Sequence, residues 1–308
     1  MTNILSPILV TGTHRSGTTW VGKMLAADVD TAYISEPLNV LHRPGVYRTP
    51  VQYWYTYITD ENESQYLPAF RELLDFQYHT WLEIKSIRSI KDFLRMGRDF
   101  RTFFNGSMHG QRALLKDPFA ALSTIWFSKK LNCQIVFTAR HPVAFVSSLK
   151  RLNWPFDFNN LLNQPLLMRD HLEADRADME RALSGDIVNQ AALLWRIIHR
   201  LVHSTSKLLP DFNIVRHEDL SLDPVAGYKA LYTALGLSFT TKVEETILNS
   251  SSAENPTKLA RNRTHSVKLD SRANLNNWKK ILSPEEVTRI RKITEGVAEL
   301  FYSDDEWK

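Results

Sequence analysis

The chain has 308 residues, 43% of them hydrophobic, a formal net charge of +4 and one cysteine, Cys133. One cysteine excludes a disulfide within the chain, no apolar run is long enough to predict a membrane span, and the modest charge gives no case for nucleic acid as a partner. The length suits a single α/β domain over residues 1–308, and the first strand starts so early that no leader is expected, which together predict a reducing, cytoplasmic setting.

A strand is predicted over 8–11. It runs into Gly12-Thr-His-Arg-Ser-Gly-Thr-Thr19, followed by a helix over 17–27. Gly12 and Gly17 have the G-x-x-x-x-G spacing of a Walker-type loop, in which backbone N–H groups and a helix N-terminus cradle an anion. Thr18 stands where a nucleotide triphosphatase has the lysine that reaches the β- and γ-phosphates, and Thr19 keeps the Ser/Thr position. The basic residue is Arg15, inside the loop. That exchange points to a phosphate-bearing donor other than ATP.

A second short strand, 32–35, ends at Glu36-Pro37. Residues 40–110 are rich in aromatic and charged side chains, with helical patterns around 65–80 and 88–104. A strand over 113–115 leads into Lys116-Asp117-Pro118 and a helix over 119–131. The strand 134–138 ends at Arg140-His141-Pro142, with a helix to about 151. Further on come a long helix over 187–208, a strand over 212–216, helices over 224–235 and 240–249, and a last helix opened by the capping-box pattern Ser283-Pro-Glu-Glu286. Strands alternating with helices predict a central parallel sheet flanked by helices, with ligands at the carboxyl ends of the strands. Gly12, Glu36, Lys116, Arg140 and His217 all fall at such ends.

The strand that closes on Arg140 is the second informative feature. A P-loop kinase or triphosphatase usually ends this strand in a magnesium-binding aspartate. Here a cation stands there, and Ser148 lies eight residues on, one or two helical turns away. Taken alone, Arg140 reads as a surface ion-pair partner; beside the first loop, the pair suits a second phosphate. Seven Lys/Arg residues and a single acid over 258–280 read as a solvated basic loop, and the second anion gives this run a ligand to meet.

Together these residues resemble the sulfotransferase family that uses 3′-phosphoadenosine-5′-phosphosulfate (PAPS). Thr13-His-Arg-Ser-Gly-Thr-Thr-Trp20 is similar to its 5′-phosphosulfate loop, and Arg140-His-Pro-Val-Ala-Phe-Val-Ser-Ser148 to its 3′-phosphate motif. The resemblance implies the nucleotide-kinase-like P-loop fold, PAPS as donor, adenosine 3′,5′-bisphosphate as product and no metal. It assigns Arg15, Ser16, Gly17, Thr18 and Thr19 to the phosphosulfate, Trp20 to adenine or to a helix core, and Arg140 with Ser148 to the 3′-phosphate. The family often has tyrosine where His217 stands. In the basic run, Lys268 lies ten residues before Trp278, as does a nucleotide-contacting lysine of the tyrosylprotein branch, with Arg263 and Thr264 nearby.

The histidine base of the small-molecule branch is missing after Lys116. Glu36, in a Glu-Pro-Leu similar to that of the carbohydrate branch, is the expected general base, against the plainer reading of a loop-ordering ion pair. Lys116 is then a second cation on the transition state, and Asp117 is expected to cap the next helix, with orienting Lys116 as the alternative. Residues 40–110 are the expected acceptor-binding insert and 153–185 the lid. The acceptor is expected to be a glycan or other small molecule with a hydroxyl, less readily an amine. The alternatives are a small-molecule kinase with a degenerate loop and a non-catalytic nucleotide-binding protein. The oligomeric state is left open.

Overall fold

A computed structural model describes residues 6–252, 255–256 and 271–308. Five strands, β1 (Ile8–Gly12), β2 (Thr31–Ser35), β3 (Arg112–Lys116), β4 (Gln134–Ala139) and β5 (Phe212–Arg216), form one parallel sheet in the order β2-β3-β1-β4-β5. Leu9 of β1 lies opposite Leu115 on one side and Ile135 on the other. Because side chains alternate along a strand, Leu9, Leu115 and Ile135 enter one core while Ile8, Val10, Leu114 and Val136 enter a second on the opposite face. Helical crossovers cover both faces, which is why these strands read as continuous apolar runs.

Strand positions agree with the sequence pattern to within a residue or two. Between strands the differences have local causes. The helix expected over 65–80 is broken: Leu67–Leu74 stops, Phe76 takes a left-handed φ of 55°, and Thr80–Ser86 starts anew. Phe76 packs on the next helix so closely that a Cβ at Gly106 would lie 2.4 Å from its ring. That helix, Ile90–His109, is capped by Ser89 and stopped by Gly110 at φ 58°. The helix expected over 119–131 begins as a 3₁₀ segment, Pro118–Ser123, before Thr124–Leu131.

The stretch 153–185, which carries no motif, folds into short helices whose Phe158, Leu161, Leu167 and Leu172 are wholly buried in the larger core. Cys133 is buried there too, and burial pushes its thiol pKa up. The long helix Ile187–Ser206 starts at Asp186, whose carboxylate accepts from Asn189 N at 2.8 Å. Its buried Trp195 donates through Nε1 to the Arg140 carbonyl at 2.8 Å, which ties the carboxyl end of β4 to the helical layer.

Candidate active site

The loop after β1 is held by close packing that only glycine permits at two points. A Cβ on Gly12 would lie 2.5 Å from Ser16 Oγ and 2.7 Å from the Thr138 carbonyl. Gly17 has φ 101°, and a Cβ there would come within 2.4 Å of the His217 ring. Gly17 is also the N-cap of the helix Thr18–Leu25 and supplies no side-chain hydrogen bond to the first N–H groups of that helix. Ser16 is fully buried, and its Oγ has no hydrogen-bond partner among the described residues.

Arg15 sits at φ 72°, a left-handed conformation that turns its side chain across the sheet toward β4. Its Nε donates to Ser148 Oγ at 3.2 Å, and its own carbonyl accepts from Arg140 Nη1 at 2.8 Å. Two segments 125 residues apart in sequence are thereby locked together. They border a cavity of about 630 Å³ whose lining includes Arg15, Arg140, Ser147, Ser148, Arg151 and Lys280, with no carboxylate among the described residues. Burial, then the nearby Arg140 and Arg151, brings the Arg15 pKa down to about 10, so three guanidiniums face one space. Arg140 Nε, also buried, has no partner among the described residues.

At the neighbouring strand ends, Glu36 follows β2 at φ 53° and its N–H donates to the Lys116 carbonyl at 2.8 Å. Lys116 Nζ donates to Glu36 Oε1, and Asn39 Nδ2 donates to Glu36 Oε2 at 2.7 Å. Lys116 is buried, whereas the Glu36 side chain keeps 24% of its exposure. Asp117 has no exposure. Its Oδ1 accepts from Phe119 N at 2.9 Å as the cap of the 3₁₀ segment, and its Oδ2 accepts from Leu38 N at 2.5 Å, fixing the turn that carries Glu36. Burial, and then the Glu36 charge, raise the Asp117 pKa to about 7.

Thus Arg15, Ser16, Gly17, Thr18, Glu36, Lys116, Arg140 and Ser148 all gather along the carboxyl edge of the sheet. Trp20 belongs to the second core, where it packs near His217 and Tyr228 and donates from Nε1 to Ser250 Oγ at 3.0 Å. His217 lies against Gly17, with its pKa held near 3 by burial and by Arg140. His14 sits in a cage of Trp54, Tyr55, Phe119, Phe145, Trp154 and Phe156, its Nδ1 2.6 Å from Tyr55 Oη. Arg263, Thr264 and Lys268 lie outside the described residues. Lys280, from the basic run 258–280, lines the cavity, whereas Arg151 and Asn277 were not singled out from the sequence. Arg151 carried a usable signal, since it follows Ser148 by three residues and shares its helix face.

Residues 7–241 match the family model described as "Sulfotransferase family". The chain belongs to the sulfotransferase family. Over 103 residues it is 32% identical to human carbohydrate sulfotransferase 6, a match that covers 31% of this chain and 25% of that protein. Among solved structures it resembles the sulfotransferase domain from the curacin biosynthetic pathway, at 16% identity and a TM-score of 0.48 over 97% of this chain and 99% of that one. It also resembles mouse sulfotransferase SULT7A1 complexed with PAP, at 14% identity and a TM-score of 0.48 over 98% and 86%. Among the described residues no helix is long and apolar enough to cross a membrane.

Proposed function

We propose that this sulfotransferase moves a sulfuryl group from PAPS to a hydroxyl of a carbohydrate or other small acceptor, with an amine as the less favoured nucleophile. What carries the reading is the Arg15–Ser148 hydrogen bond beside the Arg140–Arg15 link. That pairing supports Arg15 on the loop and Arg140 at the end of β4 as the two cationic anchors of a nucleotide with a phosphate at each end. Ser16 Oγ and Arg140 Nε, without partners among the described residues, supply donors for anionic oxygens. A kinase would place a magnesium-binding acid at the end of β4, where Arg140 stands.

In this reading the loop N–H groups, Ser16, Thr18 and Thr19 hold the 5′-phosphosulfate, and Arg140 with Ser148 holds the 3′-phosphate. Arg263, Thr264 and Lys268 are kept as further nucleotide contacts. The acceptor oxygen attacks sulfur in line with the bridging S–O bond, and the acceptor proton passes to Glu36. The S–O bond breaks and its electron pair stays on the 5′-phosphate, where Arg15 and Lys116 meet the developing charge. Glu36 suits the base because it is the partly exposed member of its ion pair, while Lys116 is rigidly buried behind it.

Transfer of labelled sulfate from PAPS to a panel of glycans, lipids and phenols tests this proposal. Label on any acceptor, lost in Glu36→Gln and retained in a surface control, is the expected result. Label transferred at an unchanged rate by Glu36→Gln removes the carboxylate from that role.

A further inference from the structure

The helix Ile90–His109 presents three different sides. Its inner side, with Phe103 and Gly106 buried, packs toward Phe76, Tyr78 and β2. A second side carries Ile90, Phe93, Leu94, Phe100, Phe104 and Met108, at the three- and four-residue spacing of one helical stripe. These six are between 47% and 81% exposed. Gly97 lies on the same stripe, and a Cβ added there would meet nothing within 4 Å. The helix Thr80–Ser86, packed against this one, adds Trp81 at 67% exposure and Ile84 at 45%. A soluble surface does not ordinarily line up so many large apolar groups without a partner.

The charge beside the stripe says what kind of partner fits. Lys91, Arg95, Arg98 and Arg101 are exposed along its flank. Asp92 meets Ser89, Arg43 and Arg95, and Asp99 meets Arg98 at 3.0 Å, so four cations against two carboxylates leave the flank a surplus of positive charge. A second copy of the chain would bring the same cations face to face. A surface of anionic headgroups over acyl chains satisfies both sides at once: Phe, Leu and Trp enter the apolar boundary while the guanidiniums stay among the phosphates. The helix is amphipathic and does not qualify as a membrane span, as expected of one that lies in the plane of the interface.

We propose that the helix Ile90–His109, with Trp81 and Ile84, is a docking face for an anionic lipid bilayer. The inference stands apart from the donor and the base assigned above.

Vesicle flotation of the full chain tests it, with phosphatidylcholine alone against phosphatidylcholine carrying about 30% phosphatidylglycerol. The chain is expected to float with the anionic vesicles and to stay behind with the neutral ones. Phe93→Ser with Phe104→Ser, both exposed, should weaken anionic binding by about tenfold or more. Arg95→Gln with Arg101→Gln should weaken it by about 25-fold, the loss expected for two cations near a charged leaflet. Melting curves confirm that both variants fold. Failure to float with anionic vesicles would overturn the proposal. So would flotation indifferent to the Phe93/Phe104 change, which would move the contact to another basic surface. Light scattering closes the remaining case: a dimer that Phe93→Ser with Phe104→Ser dissolves would give this face to a second copy instead.

Discussion

Lys116 and Glu36 meet at the carboxyl ends of β3 and β2, with the Lys116 ammonium donating to one carboxylate oxygen and Asn39 donating to the other. The two backbones are also joined there, Glu36 N to the Lys116 carbonyl. A left-handed backbone at Glu36 and the Asp117 bond to Leu38 N hold the carboxylate at the lip of the site. An ion pair built only for stability has no need of that backbone strain, which is more often stored at functional positions.

Glu36→Gln keeps the shape and the Asn39 contact but removes the charge. We expect kcat for sulfuryl transfer to fall by roughly 10²- to 10⁴-fold, the range of a lost general base. Affinity for adenosine 3′,5′-bisphosphate, followed by calorimetry, should change little. Leaving buried Lys116 without its carboxylate should lower stability by about 1–3 kcal/mol. Parallel losses of nucleotide binding and turnover would mean that the pair orders the loop instead.

Arg140→Gln tests the second anchor. Loss of a charge-assisted contact should weaken binding of adenosine 3′,5′-bisphosphate by roughly 10- to 100-fold. Binding of adenosine 5′-phosphate, which lacks the 3′ group, should change far less. Equal losses for both nucleotides would show that Arg140 acts through its bond to the Arg15 carbonyl and not on the 3′-phosphate.

Gly17→Ala forces a side chain into a left-handed residue and against His217. We expect a loss of roughly 2–4 kcal/mol in urea unfolding, part from backbone strain and part from overlap. Adding His217→Ala should recover the overlap but not the strain. Full recovery by the second change would show that the loop tolerates a non-glycine residue at φ 101°.

Acid should destabilise the fold before ordinary carboxylates titrate. Burial holds His14, His199 and His217 near pKa 3 and His141 near 4, against an ordinary value of 6.5. The unfolded chain therefore takes up four protons that the folded one refuses as pH drops below 6.5, and their stabilisation, complete above 6.5, is lost toward pH 4. Asp117 and Glu218, raised by burial, act in the opposite sense and offset part of this loss. The balance predicts that stability falls as the pH drops from about 6 to 4.5. Urea midpoints across that range check it; a flat profile would contradict the buried neutral state of these histidines.

Much of this was legible in the chain itself, because local chemistry and tertiary need coincide there. The Gly12–Gly17 spacing, the exchange of a loop lysine for Arg15, and the Arg140-to-Ser148 interval are short-range patterns on single elements. The capping box at Ser283 and Glu286 is complete in the structure. What stayed hidden depends on distant contacts. Asn277 reaches the cavity through packing of the last helices on the helix Pro142–Leu152, which no local spacing encodes. In the 40–110 stretch the pattern over 88–104 foreshadows the helix Ile90–His109, but not that so many of its apolar groups face outward.

A nucleotide with phosphates at both its 5′ and 3′ ends is the ligand proposed for this site. Thermal unfolding with adenosine 3′,5′-bisphosphate against ATP with magnesium tests it most directly, since a ligand that binds only the folded chain must stabilise it. At a hundredfold excess over its dissociation constant the bisphosphate should add about 2.7 kcal/mol and raise the midpoint by about 5 °C. ATP with magnesium should leave it nearly unchanged. A larger shift with ATP and magnesium than with the bisphosphate would contradict the account.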